Sequence, residues 1–132
     1  MTALTVDVSE FNRKVREFAE KAVPAQLVQH QQKIALGILK KVIFKTPVRY
    51  GRARGGWQVD IDKLPTGDTP LDKTGNRTLT KGTNKILKLH PFQSVLIVNN
   101  VEYIIYLEGG SSEQAAEGML GISVQEVTSQ FG

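Results

Sequence analysis

Apolar positions at steps of three and four open the chain. Val8, Phe11, Val15, Phe18 and Ala22 form one stripe of an amphipathic helix. Ser9, with Glu10 and Asp7 beside it, offers a start, since short polar side chains cap free backbone N–H groups. Pro24 lacks an N–H and crowds the preceding turn, so it should kink or restart the helix. A second stripe follows with Leu27, Ile34, Ile38 and Val42, flanked by Leu39 and Ile43. Thr46-Pro47 should end it, because the residue before proline avoids helical dihedrals. Residues 7–45 are therefore read as helical.

Residues 46–57 read as a turn-rich stretch, punctuated by Gly51, Gly55 and Gly56. The alternation in Trp57-Gln58-Val59-Asp60-Ile61 has the period of a half-buried strand, over 57–62. Residues 63–92 are rich in Thr, Gly, Asn, Asp and Lys. With few apolar residues to bury, the pattern predicts a long mobile loop. A second strand is expected over 94–99, rich in β-branched residues. Residues 101–108 are apolar nearly all round and read as a short buried helix rather than a third strand, stopped by Gly109-Gly110. Leu120, Val124, Val127 and Phe131 predict a C-terminal helix over 118–131. The expected fold class is α+β: N-terminal amphipathic helices packed on a small antiparallel sheet, with a short helix, a C-terminal helix and a mobile loop.

The 132 residues suit one domain, and 40% hydrophobic content can furnish its core. Without cysteine, disulfides and thiolate zinc sites are excluded, and a reducing cytoplasm is the fitting compartment. No apolar run reaches the roughly 18 residues of a membrane span. The N-terminus also lacks the basic-then-apolar order of a signal peptide. The expectation is a soluble protein without a membrane partner, present in the cytoplasm until something incorporates it.

Net charge is +4, unevenly placed. Between Glu20 and Asp60 no acidic residue interrupts Lys21, Lys33, Lys40, Lys41, Lys45, Arg49, Arg52 and Arg54. After Glu108, Glu113, Glu117 and Glu126 stand without a cation. Such asymmetry suits two surfaces of opposite sign, or a solvated helix face and a solvated tail. Lys40, Lys41, Lys45 and Arg49 are candidates for a DNA-facing or subunit interface.

Catalysis needs a proton carrier, a nucleophile or a metal at matched spacing. His30 and His90 lie on separate segments without metal-type partners nearby, and each reads as a solvated or locally bonded histidine. Asp60 and Asp62, two apart on a strand, would share a side and could bind Mg²⁺, but no third carboxylate is near in sequence. Glu102 and Glu108 read as caps and rim charges. The glycines at 51, 55 and 56 form neither GxxxxGK[ST] nor GxGxxG. Arg49, Arg52 and Arg54 with Trp57 could meet a nucleic-acid backbone and stack on a base. No catalytic, cofactor or metal residue is assigned, and the chain is not read as an enzyme.

Two segments carry more information together. Lys45-Thr46-Pro47-Val48-Arg49-Tyr50-Gly51-Arg52-Ala53-Arg54-Gly55-Gly56-Trp57 resembles the TPVDTGR-L/A-R-x-x-W signature of the neck and tail-completion proteins of long-tailed bacteriophages. The stretch from Val98 through Asn99, Tyr103, Tyr106, Glu108, Gly109, Gly110 and Ser111 to Ser112 resembles that family's NxxxYxxxLExGxS signature. Residues 113–119 nearly reproduce the xQAPxGM that follows it. Arg49-Tyr50 replaces the usual Asp-Thr, which makes the segment more basic and removes a turn-capping carboxylate; Ala116 replaces a proline.

The resemblance implies a structural virion subunit at the head–tail junction. It would form a homo-oligomeric ring, typically hexameric, that completes the tail. Its partners would be the connector or stopper, the tail tube and the tail terminator, with transient contact to genomic DNA passing through the lumen. Thr46, Arg52, Arg54, Tyr103, Tyr106 and Glu108 are expected to form one polar and aromatic cluster joining the two segments. Gly51, Gly109 and Gly110 should take the positive φ of sharp turns. Residues 63–90 and the acidic C-terminal segment are the expected contact surfaces. The alternative is a small nucleic-acid-binding module using residues 40–54, whose affinity would fall steeply with salt.

Overall fold

The computed structural model describes residues 4–5, 8–19, 24–49, 51–110, 115 and 117–131. Along the chain run β1 (Leu4–Thr5), α1 (Ser9–Ala19), α2 (Pro24–Lys45), α3 (Arg52–Gly55), β2 (Trp57–Ile61), α4 (Asn76–Ile86), β3 (Val95–Asn99), α5 (Ile104–Glu108) and α6 (Leu120–Phe131). The architecture is α+β, as expected.

The spine is α2, 22 residues and about 33 Å long. It starts at Pro24, where a missing N–H costs nothing because the first turn has no intrahelical acceptor for it. Leu27, Ile34, Ile38, Leu39, Val42 and Ile43 are buried along it, and fully burying each such side chain contributes roughly 1.5–3 kcal/mol. The helix packs against α1, α3, α4 and α6. Val8, just before α1, and Phe11 on it pack against the core. The side chains of Val15 and Phe18 and all of Ala22 lie outside the described residues.

The sheet is antiparallel in the order β1-β3-β2, with β3 central. Trp57 pairs with Asn99 and Ile61 with Val95, while the short β1, which the periodicity did not indicate, sets Leu4 against Asn99. Trp57 and Val59 face the core and Gln58 and Asp60 are partly exposed, following the period of two. β3 is covered more fully, with Val98 and Asn99 buried as well as Val95 and Ile97.

Three expectations are corrected. Residues 46–57 are not all turn: they contain α3. Residues 63–92 are not a mobile loop, because α4 occupies their centre and packs on β2 and α2. Its buried stripe is Thr78, Gly82 and Ile86, at steps of four, and it hid from a hydrophobic count because two of the three are small. A Cβ at Gly82 would collide with the Leu39 side chain, so the missing side chain lets α4 lie close on α2. The start of α4 is organised by Asp72, whose carboxylate accepts from Gly75 N (3.0 Å), Thr78 N (2.8 Å) and the Thr78 hydroxyl (2.8 Å). The third correction concerns residues 101–108. The helix begins only at Ile104, and Tyr103, Ile105 and Tyr106 are exposed rather than buried.

Candidate functional site

The first signature segment closes the C-terminal end of α2. The last carbonyls of a helix have no intrahelical donor. Thr46 stays buried there by using both capacities of its hydroxyl: it donates to Val42 O (2.5 Å) and accepts from Trp57 Nε1 (2.7 Å). Arg54, carried back by α3, spreads its guanidinium over the helix end. Nε and Nη2 donate to Thr46 O (3.2 and 3.0 Å), Nη2 also reaches Phe44 O (3.4 Å), and Nη1 reaches Lys73 O (3.1 Å). A cation at a helix C-terminus also complements the macrodipole. The same guanidinium lies 5.9 Å from the Phe44 ring centroid. Burial lowers the Arg54 pKa while the nearby Asp72 charge opposes that shift.

The second signature segment meets the first at Asn99. Its Nδ2 donates to Ala53 O (2.9 Å) in α3 and its Oδ1 accepts from Val101 N (3.0 Å), all buried. Gly56 makes this approach possible: a Cβ there would stand 2.6 Å from Val101 Cγ2 and 2.8 Å from Asn99 Oδ1. Gly56 and Trp57 bring the first segment into register beside Asn99 across β2 and β3.

Further along the second segment, Glu108 does for α6 what Arg54 does for α2, with the opposite charge. Its carboxylate accepts from Met119 N (2.8 Å), Leu120 N (2.8 Å) and Gly121 N (3.0 Å), the free donors at the N-terminal end of α6. Gly118 takes φ 80°, and a Cβ on it would come within 2.5 Å of Glu108 O. The clamped helices are themselves tied: Lys41 (2.7 Å) and Lys45 (3.0 Å) of α2 both pair with Glu126 of α6. Hydrogen bonds from these two lysines hold the Glu126 carboxyl below its ordinary value.

The expected single cluster is therefore divided. Thr46, Arg54 and Trp57 form one clamp and Glu108 another, with Asn99 joining the segments between them. Arg52 is exposed, lining a small cleft of about 120 Å³ that Asn100 and Val101 of the second segment also line. Tyr103 and Tyr106 are exposed, Tyr106 at 71%, and are not part of a buried cluster. Pro47 is half-buried just past α2. Gly51 and Gly110 take positive φ (82° and 86°), whereas Gly109 does not, at −75°. Ser111 and the acidic residue Glu113 lie outside the described residues.

The charge reading changes too. Lys41 and Lys45, expected on a DNA-facing or subunit surface, are engaged by Glu126, so part of the basic middle and acidic end neutralise each other within the chain. Lys40 and Arg49 are exposed. Asp60 and Asp62 have separate partners. Asp62 follows the strand at φ 57° and accepts from Ser94 N (2.7 Å), while Asp60 lies 3.7 Å from Lys85. Among the described residues, no group of three or more His, Asp or Glu side chains could hold a metal ion, and no helix is long and apolar enough to cross a membrane.

Sequence reasoning missed Asp72 and the groove beside α4. That groove, about 300 Å³, runs between α4 and residues 63–70 over β2, and Lys63, Arg77, Lys81 and Lys85 line it. The cations at 77, 81 and 85 fall at helical spacing, a signal present in the sequence once α4 is known to be a helix.

Comparison of the chain with family models, characterised proteins and solved structures finds no match.

Proposed function

We propose that this chain is a structural subunit of a long-tailed bacteriophage neck, one copy in a ring that completes the tail and joins it to the head. The observation that carries the reading is the meeting of the two signature segments at Asn99, with Arg54 and Glu108 clamping the ends of α2 and α6. In this reading the residues that give the resemblance make a rigid frame, and the function lies in what the frame presents to its neighbours. Tyr103, Ile105 and Tyr106, large side chains open to solvent around α5, are surface that assembly would cover.

The test pairs two measurements on the full chain. Mass photometry of the purified protein reads self-association, and mass spectrometry of purified particles reads incorporation. The expected result is a closed species of one copy number, formed alone or only within particles. A chain that stays monomeric at every concentration and never enters particles contradicts the proposal.

The alternative, a nucleic-acid module built on residues 40–54, is less well supported. Lys41, Lys45 and Arg54 in that stretch already hold partners inside the chain. If charge reversal at Arg52 and Arg54 leaves duplex affinity untouched, that reading fails.

A further inference from the structure

From Lys73 to Val101 the chain contains no acidic residue, while Lys73, Arg77, Lys81, Lys85 and Lys88 fall there. Folding gives this composition a shape. Arg77, Lys81 and Lys85 stand at steps of four on α4, about 6 Å apart along its axis, and all three line the groove beside β2. They are exposed, and among the described residues only Lys85 of the three has a carboxylate within ion-pair distance, Asp60 at 3.7 Å. Asp72, the nearest acid in sequence, is turned into the start of α4 by its hydrogen bonds to Gly75 and Thr78. Asp68 lies on the groove but leaves its cations, with Lys63, in excess.

We propose that this row on α4 is a contact surface for the phosphate backbone of duplex DNA. A linear polyanion, with a charge every 3.4 Å along each strand, suits a straight row of cations whose side chains can each find a phosphate. Each cation is preceded by an exposed polar residue, Asn76, Thr80 and Asn84, whose side chains also donate to phosphate oxygens. A protein partner would instead need a desolvated apolar or aromatic anchor; α4 itself exposes no large apolar side chain, and the exposed Leu64 across the groove and Leu87 just past the helix stand apart rather than forming one patch with its cations. The proposal deepens the ring reading by naming the surface that meets DNA, and it rests on that reading only for which DNA is met in the particle.

The experiment measures binding of the purified full chain to a short labelled duplex by fluorescence anisotropy, between about 50 and 200 mM salt. The variant is Arg77→Gln/Lys81→Gln/Lys85→Gln; Lys14→Gln/Lys33→Gln, exposed on α1 and α2, is the control. Circular dichroism and thermal melting verify that both variants fold, and mass photometry follows assembly separately. The wild type and the control should bind with affinity falling steeply with salt. The triple variant should lose about tenfold or more at low salt, and its log–log salt slope should shrink by up to about 0.9 per cation removed. Equal affinity and slope in folded wild type and triple variant would overturn the proposal. So would a triple variant that keeps DNA binding but no longer assembles, since the row would then serve an acidic protein surface. Loss of DNA binding with assembly intact supports the DNA surface, and failure of assembly in the wild type alone bears on the ring and not on this row.

Discussion

Asn99, at the end of the central strand, donates to the Ala53 carbonyl across 2.9 Å, and this buried bond joins two segments 46 positions apart in sequence. Asn99→Ala would leave both Ala53 O and Val101 N without their partner. An unsatisfied buried polar group costs about 1–3 kcal/mol, so a loss of about 2–4 kcal/mol is expected. Urea denaturation should show a lower midpoint with unchanged slope, the mark of lost stability without a changed unfolded state.

The two clamps make a paired prediction. Removing an end cap costs a helix about 0.5–2 kcal/mol. Glu108→Ala and Arg54→Ala should each fall near the top of that range, because each side chain serves several backbone groups. Arg54→Lys should recover little, since an ammonium cannot reproduce the guanidinium fork over Thr46, Phe44 and Lys73. Equilibrium unfolding of the three variants provides the comparison.

Acid should weaken the fold through Asp72. Burial pushes its carboxyl up, but hydrogen bonds from the Thr78 N–H and hydroxyl, the Gly75 N–H and the Thr74 hydroxyl outweigh that and hold it below its ordinary 3.8. A depressed folded value means stability that is fully present above the unfolded value and is lost as pH falls through the lower folded one. Stability should therefore decline below about pH 4, and Asp72→Asn should flatten that part of the profile. Thermal melts from pH 6 to below 3 read both curves, taking about 4 as the unfolded reference.

Gly82→Ala tests the docking of α4. On propensity alone alanine would favour the helix by about 0.8–1 kcal/mol. Against Leu39 its methyl group is overpacked, at a typical cost of about 1–3 kcal/mol, so net destabilisation is expected. A more stable Gly82→Ala variant would mean that α4 does not pack on α2 as described.

The parts of the fold that could be read in advance are those whose signal is local and apolar. The stripes of α2 and α6 and the alternation in β2 gave their elements within a few residues. What escaped depended on partners distant in sequence. The burial of Thr78 and Gly82 in α4 makes sense only opposite Leu39, and the two-residue β1 exists only because Asn99 and Val98 lie beside it. The signature residues were legible as a set, but their roles were not. Nothing near Arg54 or Glu108 in sequence says that one faces helix carbonyls and the other helix amides; Tyr103 and Tyr106, the same type of motif residue, turn outward. Charge was read as two opposing surfaces because the pairing of Glu126 with Lys41 and Lys45, 85 and 81 positions away, has no local trace.

Cryo-electron microscopy of the head–tail junction in an assembled particle addresses the proposed role most directly. The expected density is a closed ring of identical copies, each with residues 45–57 and 98–110 interlocked at Asn99. A junction resolved well enough to trace its chains, and containing no copy of this one, would contradict it.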